Sequence, residues 1–116
     1  MTRNTVAVGA SAETAATRLL LDRGYSIVER NFRCPAGELD VIARDGDVLV
    51  FVEVRSRTDP DHGHAAEMVD AQKQRQVARV AAHYLALREP SYEEARFDVV
   101  AITSGEVELI QDAWRL

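Results

Sequence analysis

Near the open end of the stretch GELDVIARDGDVLVFVEVRSR, residues 37 to 57, four charged residues interrupt the apolar runs. Asp40 precedes Val-Ile-Ala, and Glu53 follows Val-Leu-Val-Phe-Val beyond an Asp-Gly-Asp turn, with Glu38 and Arg55 flanking them. Apolar runs around such a turn read as a β-hairpin. A two-residue loop at Gly46-Asp47 sets Asp40 opposite Glu53 and Glu38 opposite Arg55. A loop at Asp45-Gly46 shifts the pairing by two and still leaves Asp40 and Glu53 on one face. Carboxylates placed face to face repel, so one takes up a proton or both share a cation. Mg²⁺ usually binds through one or two carboxylates, with water and substrate oxygens completing its shell. Such an ion activates water and stabilises the leaving oxygen of a phosphodiester. A cation at Arg55 would face the negative charge that grows on the phosphate. The competing reading is a rim network pairing Glu38 with Arg55 and Asp40 with another arginine, which contributes little to stability. That reading leaves Asp40 beside Glu53 unexplained.

The elements that must position these groups follow from periodicity. Strict alternation puts Leu39, Val41, Ala43, Val48, Val50, Val52 and Val54 on one face of the hairpin. Ile42, Leu49 and Phe51 take the other face, and the charged group follows at the open end. Both faces are therefore covered, with the carboxylates at the rim of a buried sheet. Ala12, Ala15, Ala16, Leu19 and Leu20 repeat at helical spacing from Ser11 to a stop at Gly24. Residues 25 to 32, YSIVERNF, read as a strand ended by Cys34-Pro35-Ala36-Gly37. After the hairpin comes SRTDPDHGHAA, the most mobile segment by composition. A long helix is expected from about Ala65 to Leu87, then a strand ARFDVVAI (95 to 102) and a short last strand VELI. The order α-β-β-β-α-β-β predicts an α/β fold: a mixed central sheet of about five strands flanked by helices, as one domain over 11 to 116 after a loose start over 1 to 10.

Asp, about a dozen residues, then Glu-x-Lys on the next strand marks the PD-(D/E)xK nucleases, with their restriction-endonuclease-like fold. The fuller stretch RNFRCPAGELDVIARDGDVLVFVEVRSR resembles the YraN-type family of uncharacterised bacterial proteins, predicted endonucleases related to archaeal Holliday-junction resolvases. The resemblance runs from about Gly9 to Ile102 and takes in Glu13, Asn31 to Arg33, Lys73 and the RFDVV of 96 to 100. It implies that Asp40 and Glu53 hold Mg²⁺ or Mn²⁺ with the Val54 carbonyl, and that Glu13 adds a carboxylate from the first helix. Glu13 lies beside the Ala12, Ala16 and Leu20 stripe, which allows an inward aim, and a solvated helix glutamate is the competing reading. Glu38 is read as rim or supporting carboxylate. DNA is the implied partner, and a homodimer is implied only by the related resolvases.

Arg55 stands where the pattern has lysine. For offsetting charge the swap matters little: at ~4 Å a unit charge is worth roughly 4 kcal/mol at an effective dielectric near ~20. For giving up a proton it matters, because the guanidinium pKa stays above ~12. Lys73 is the sole lysine among thirteen arginines and shares a helical stripe with Val69, Val77, Val80 and Tyr84. It is therefore aimed inward and is a candidate for the ammonium role, against a lysine that snorkels to solvent. Arg33, Arg57 and Arg75, with Arg55 and Lys73, would supply a local basic patch.

Such a patch is needed because the net charge is −5, the wrong sign for phosphate binding by the whole surface. The apolar fraction of 47% fits a soluble chain, and no apolar run spans a membrane. With no secretory signal visible and Cys34 the only cysteine, a cytoplasmic protein is expected. Cys34 reads as inert, and His62 and His64 as loop histidines. Asp98, within an apolar strand, should be buried and paired with an arginine. Trp114 is expected to pack in a short tail. Three function classes remain: a metal-dependent nuclease, a nucleic-acid-binding module that lost catalysis, and a protein-interaction domain.

Overall fold

The computed structural model describes residues 11–57 and 69–115. The loose start over 1–10, the loop histidines His62 and His64, and the expected helix start at Ala65 lie outside the described residues. The order is α1 (Ala12–Asp22), β1 (Ser26–Cys34), β2 (Gly37–Asp45), β3 (Val48–Arg57), α2 (Ala71–Arg88), β4 (Glu94–Thr103) and β5 (Glu106–Trp114). The expected α-β-β-β-α-β-β order holds.

The five strands lie side by side in sequence order, β1-β2-β3-β4-β5. All neighbours are antiparallel except β3 and β4. A parallel pair needs a crossover, and α2 is carried on that crossover between β3 and β4. Each helix covers its own face. α1 buries Ala15, Ala16, Leu19 and Leu20 against Val41, Ala43, Val50, Val52 and Val100. α2 buries Val77, Val80, Ala81 and Tyr84 against Phe32, Leu39, Ile42, Leu49, Phe51 and Val99.

Capping residues fix the helix ends. The Ser11 hydroxyl accepts from the Thr14 amide at 3.1 Å, and Gly24, at φ 88°, follows the end of α1. α2 starts at Ala71 with Asp70 as its cap, accepting from the Lys73 amide at 2.8 Å. Within the described residues the long helix thus begins at Ala71, where a short acidic side chain competes for the first free amides and sets the boundary.

Two expectations need correction. Leu39 packs under α2 with Phe32, on the face opposite Val41 and Val52, so strict alternation fails between residues 39 and 41. The last strand is also longer than VELI, reaching Trp114 through a register shift and a left-handed Asp112 at φ 52°. The Asp98 carboxylate accepts the Asp112 amide at 2.9 Å, replacing a ladder carbonyl where the strand bulges. Trp114 then stacks on Phe97, with ring centroids 5.0 Å apart.

Asp98 is fully buried and paired with Arg96 at 3.0 Å, as its place in an apolar strand predicts. Tyr25 donates to it at 2.6 Å, and Arg96 also reaches Asp45 at 2.7 Å. This network ties β2, β4, β5 and the segment after α1 together beneath the α1 face. Among the described residues no helix is long and apolar enough to cross a membrane.

Candidate metal centre

The hairpin turns on Gly46-Asp47, because Asp45 pairs with Val48. Gly46, at φ 59°, occupies the loop position where a positive φ suits glycine. Regular pairing runs from there to Val41–Val52 and goes no further. One step on, where the same register would face Asp40 with Glu53, a side chain takes over: Asp40 Oδ2 accepts the Val54 amide at 2.8 Å. The carboxylate fills the place of a ladder carbonyl, and the strands open beside it.

The opening is a cavity of about 480 Å³ lined by Asp40, Glu53, Val54 and Arg55 from the hairpin. Lys73 and Gln76 of α2 and Arg33, Cys34, Gly37 and Glu38 around the β1–β2 turn complete its wall. Glu53 is only 3% exposed. Burial, reinforced by the charge of Asp40 and opposed by that of Lys73, pushes its pKa up to about 7. Lys73 Nζ lies 3.3 Å and Arg55 Nη1 3.5 Å from the same oxygen, Glu53 Oε2. Two cations therefore converge on one desolvated carboxylate whose pKa burial still holds above the ordinary range.

This donor set suits a hard divalent ion of the Mg²⁺ kind. Among the described residues no group of three or more His, Cys, Asp or Glu side chains converges as a closed metal cage. Two carboxylates, leaving the remaining positions to water and phosphate oxygens, match the way Mg²⁺ binds. Repulsion between Asp40 and Glu53 is the physical cost that a shared cation relieves.

The other singled-out residues separate by place. Glu38 pairs with Arg33 at 2.9 Å rather than with Arg55, and both stand at the cavity rim, Arg33 being largely exposed. Glu13 is turned to Arg30, 3.5 Å away, and does not line the cavity. Arg75 is exposed on α2 and likewise outside the lining. Arg57 closes β3. Lys73 lies on the inward face that its stripe predicts.

Gln76 is a cavity residue that the sequence reading missed. Lys73 Nζ donates to its Oε1 at 3.4 Å, an i to i+3 neighbour that helical spacing could have supplied. Its approach depends on Gly37, where an added Cβ would lie 2.8 Å from Gln76 Nε2. Cys34, read as inert, lines the same cavity. A hollow of about 590 Å³ at the β4–β5 bulge is larger, but of its two carboxylates, Glu94 and Asp112, the second is already paired with Arg115 at 2.7 Å.

Comparison with known proteins matches residues 12–102 to the model of "Uncharacterised protein family UPF0102". A UPF0102 protein of Moorella thermoacetica is 47% identical over 94 residues, covering 81% of this chain and 78% of the relative. One from Beutenbergia cavernae is 48% identical over 96 residues, with 83% and 81% covered. One from Syntrophus aciditrophicus is 41% identical over 120 residues, with 100% and 94% covered. These matches bear out the YraN-type resemblance.

Proposed function

Because the chain belongs to the uncharacterised protein family UPF0102, whose description states no activity, we propose its function from the site: a divalent-metal-dependent endonuclease that hydrolyses DNA phosphodiester bonds. The observation that carries this reading is the desolvated Glu53 beside Asp40, with Arg55 and Lys73 on the cavity wall reaching the same oxygen. DNA, with branched or recombination intermediates as the preferred form, comes from the PD-(D/E)xK resemblance.

Asp40, Glu53 and the Val54 carbonyl would hold Mg²⁺ or Mn²⁺. When bound, that ion supplies Lewis-acid polarisation of the phosphate and a water of lowered pKa. The protein's own groups do the rest. Glu53 would release its proton to solvent when it holds the ion, and the ion's charge would then compete with Lys73 and Arg55 for its oxygens. Arg55 presents a planar set of donors to the phosphate oxygens. Lys73 is the one of the two cations able to lose a proton, so it carries that part of the missing motif lysine's role. Gln76 accepts from Lys73 and keeps the ammonium over the cavity. Arg33, Arg57 and Arg75 supply charge for the flanking backbone.

The test is cleavage of linear, flapped and four-way-junction DNA with Mn²⁺ or Mg²⁺, by wild type and Glu53→Ala side by side. Cutting by wild type alone supports the reading; no cutting, or equal cutting by both, removes it. Arg55 favours a second reading, a nucleic-acid-binding module of the same fold without catalysis. Salt-sensitive DNA binding that needs no metal, with no cutting, would select that alternative.

A further inference from the structure

Asp40 owes its direction to a change of face that β1 and β2 make together. On β1, Arg30 pairs with Glu13 of α1, whereas Phe32 packs under α2. On β2, Val41 packs under α1, whereas Leu39 packs under α2. Residues two apart on a regular strand share a face. Both strands break that rule at the same level, between the pairs Arg30–Val41 and Phe32–Leu39. The residues between those pairs are Asn31 and Asp40. Asn31 has φ 57°, inside the left-handed region that a regular strand never uses. Asparagine is among the few non-glycine residues that visit that region readily.

The rotation tilts Asp40 towards the plane of the sheet at the edge of the cavity beside α2. Its Oδ2 takes the Val54 amide at 2.8 Å, and strand amides point within the sheet rather than above or below it. A straight β1–β2 pair would keep residues 39 and 41 on one face and drive Asp40 squarely onto the other.

We propose that Asn31 is a positioning residue for the metal centre: its left-handed backbone turns β2 so that the Asp40 carboxylate, already opposite Glu53 by hairpin register, closes the β3 ladder at Val54. The inference rests on the proposed metal site for its functional meaning, and on backbone geometry alone for the positioning itself. Asn31 needs no contact with metal or substrate to act this way. A group that orients a metal ligand typically changes metal affinity by about 10- to 100-fold when removed.

The test compares full-length wild type, Asn31→Gly and Asn31→Val. Glycine accepts a positive φ without a Cβ penalty, while a β-branched residue there is a genuine outlier. Amide hydrogen exchange at Val54 is read against Val50 in the same molecule, so local loosening is separated from global unfolding. Mn²⁺ binding is measured in parallel by calorimetry. The proposal expects Asn31→Gly to keep Val54 protection and Mn²⁺ affinity near wild type. It expects Asn31→Val to lose Val54 protection selectively and to bind Mn²⁺ at least about tenfold more weakly. Should Asn31→Val fail to fold, Asn31→Ala carries a milder form of the same φ penalty and gives the same comparison. Unchanged Val54 protection in the valine or alanine variant overturns the proposal, as does a glycine variant no better than valine. Wild type that binds no Mn²⁺ while Val54 protection still follows φ at position 31 supports the positioning role and sinks the metal reading instead.

Discussion

Glu53 is where burial and charge are in open conflict. Its pKa is raised from 4.5 to about 7, chiefly by burial, with Asp40 adding and Lys73 opposing. In the metal-free protein the folded state therefore holds a proton that the unfolded chain has already released. Stability from this residue is complete below about pH 4.5 and falls as pH rises towards about 7. Urea unfolding across that range should show the decline in wild type, and Glu53→Gln should flatten it. Removing the opposing cation by Lys73→Met should push the Glu53 pKa higher still, so half-maximal Mn²⁺ binding should need a more alkaline pH. A binding midpoint left in place would show that Lys73 does not act on Glu53. Should cleavage be found, Arg55→Lys should raise it by restoring a second cation able to lose a proton. The opposed pair Asp40 and Glu53 was legible from hairpin parity alone. The role of Asn31 was not, because alternation arguments assume that every strand residue stays in the β region.

Elements decide whether these residues meet. The two-residue loop at Gly46-Asp47 fixes the hairpin register, and that much could be read from an Asp-Gly-Asp turn between apolar runs. α2 delivers Lys73 in its first turn, where helix ends fray unless capped. Asp70 holds that turn through the Lys73 amide. Asp70→Ala should cost about 1 kcal/mol of stability by urea unfolding and loosen the turn that carries the ammonium. The Asp70 cap of α2 escaped the sequence because apolar periodicity does not weigh a competing side-chain acceptor. The length of β5 escaped it for a related reason. Gln111 and Asp112 interrupt the apolar pattern, yet the Asp98 carboxylate carries the strand across that break to Trp114.

At the scale of the molecule, the sheet separates two polar centres. On the α1 face the network of Tyr25, Asp45, Arg96 and Asp98 is internally matched, whereas on the α2 side the cavity holds opposed carboxylates. The first centre is structural: Asp98→Ala would leave the Tyr25 hydroxyl and the Asp112 amide without their acceptor and Arg96 with Asp45 as its remaining carboxylate. We expect a loss of about 3–5 kcal/mol, read by denaturant unfolding, a large share of a small domain's stability. The net charge of −5 describes neither centre, which is why a whole-chain charge argued against nucleic acid while the cavity wall carries Arg33, Arg55 and Lys73. The central claim is that Asp40 and Glu53 form one divalent-metal site. Its most direct test is calorimetric Mn²⁺ titration of wild type and Glu53→Gln at about pH 6 and about pH 8. The account predicts single-site binding by wild type at the higher pH, weaker binding with proton uptake by the buffer at the lower pH, and little binding by Glu53→Gln at either. Equal affinity of the two proteins, or no binding by wild type at the higher pH, would contradict it.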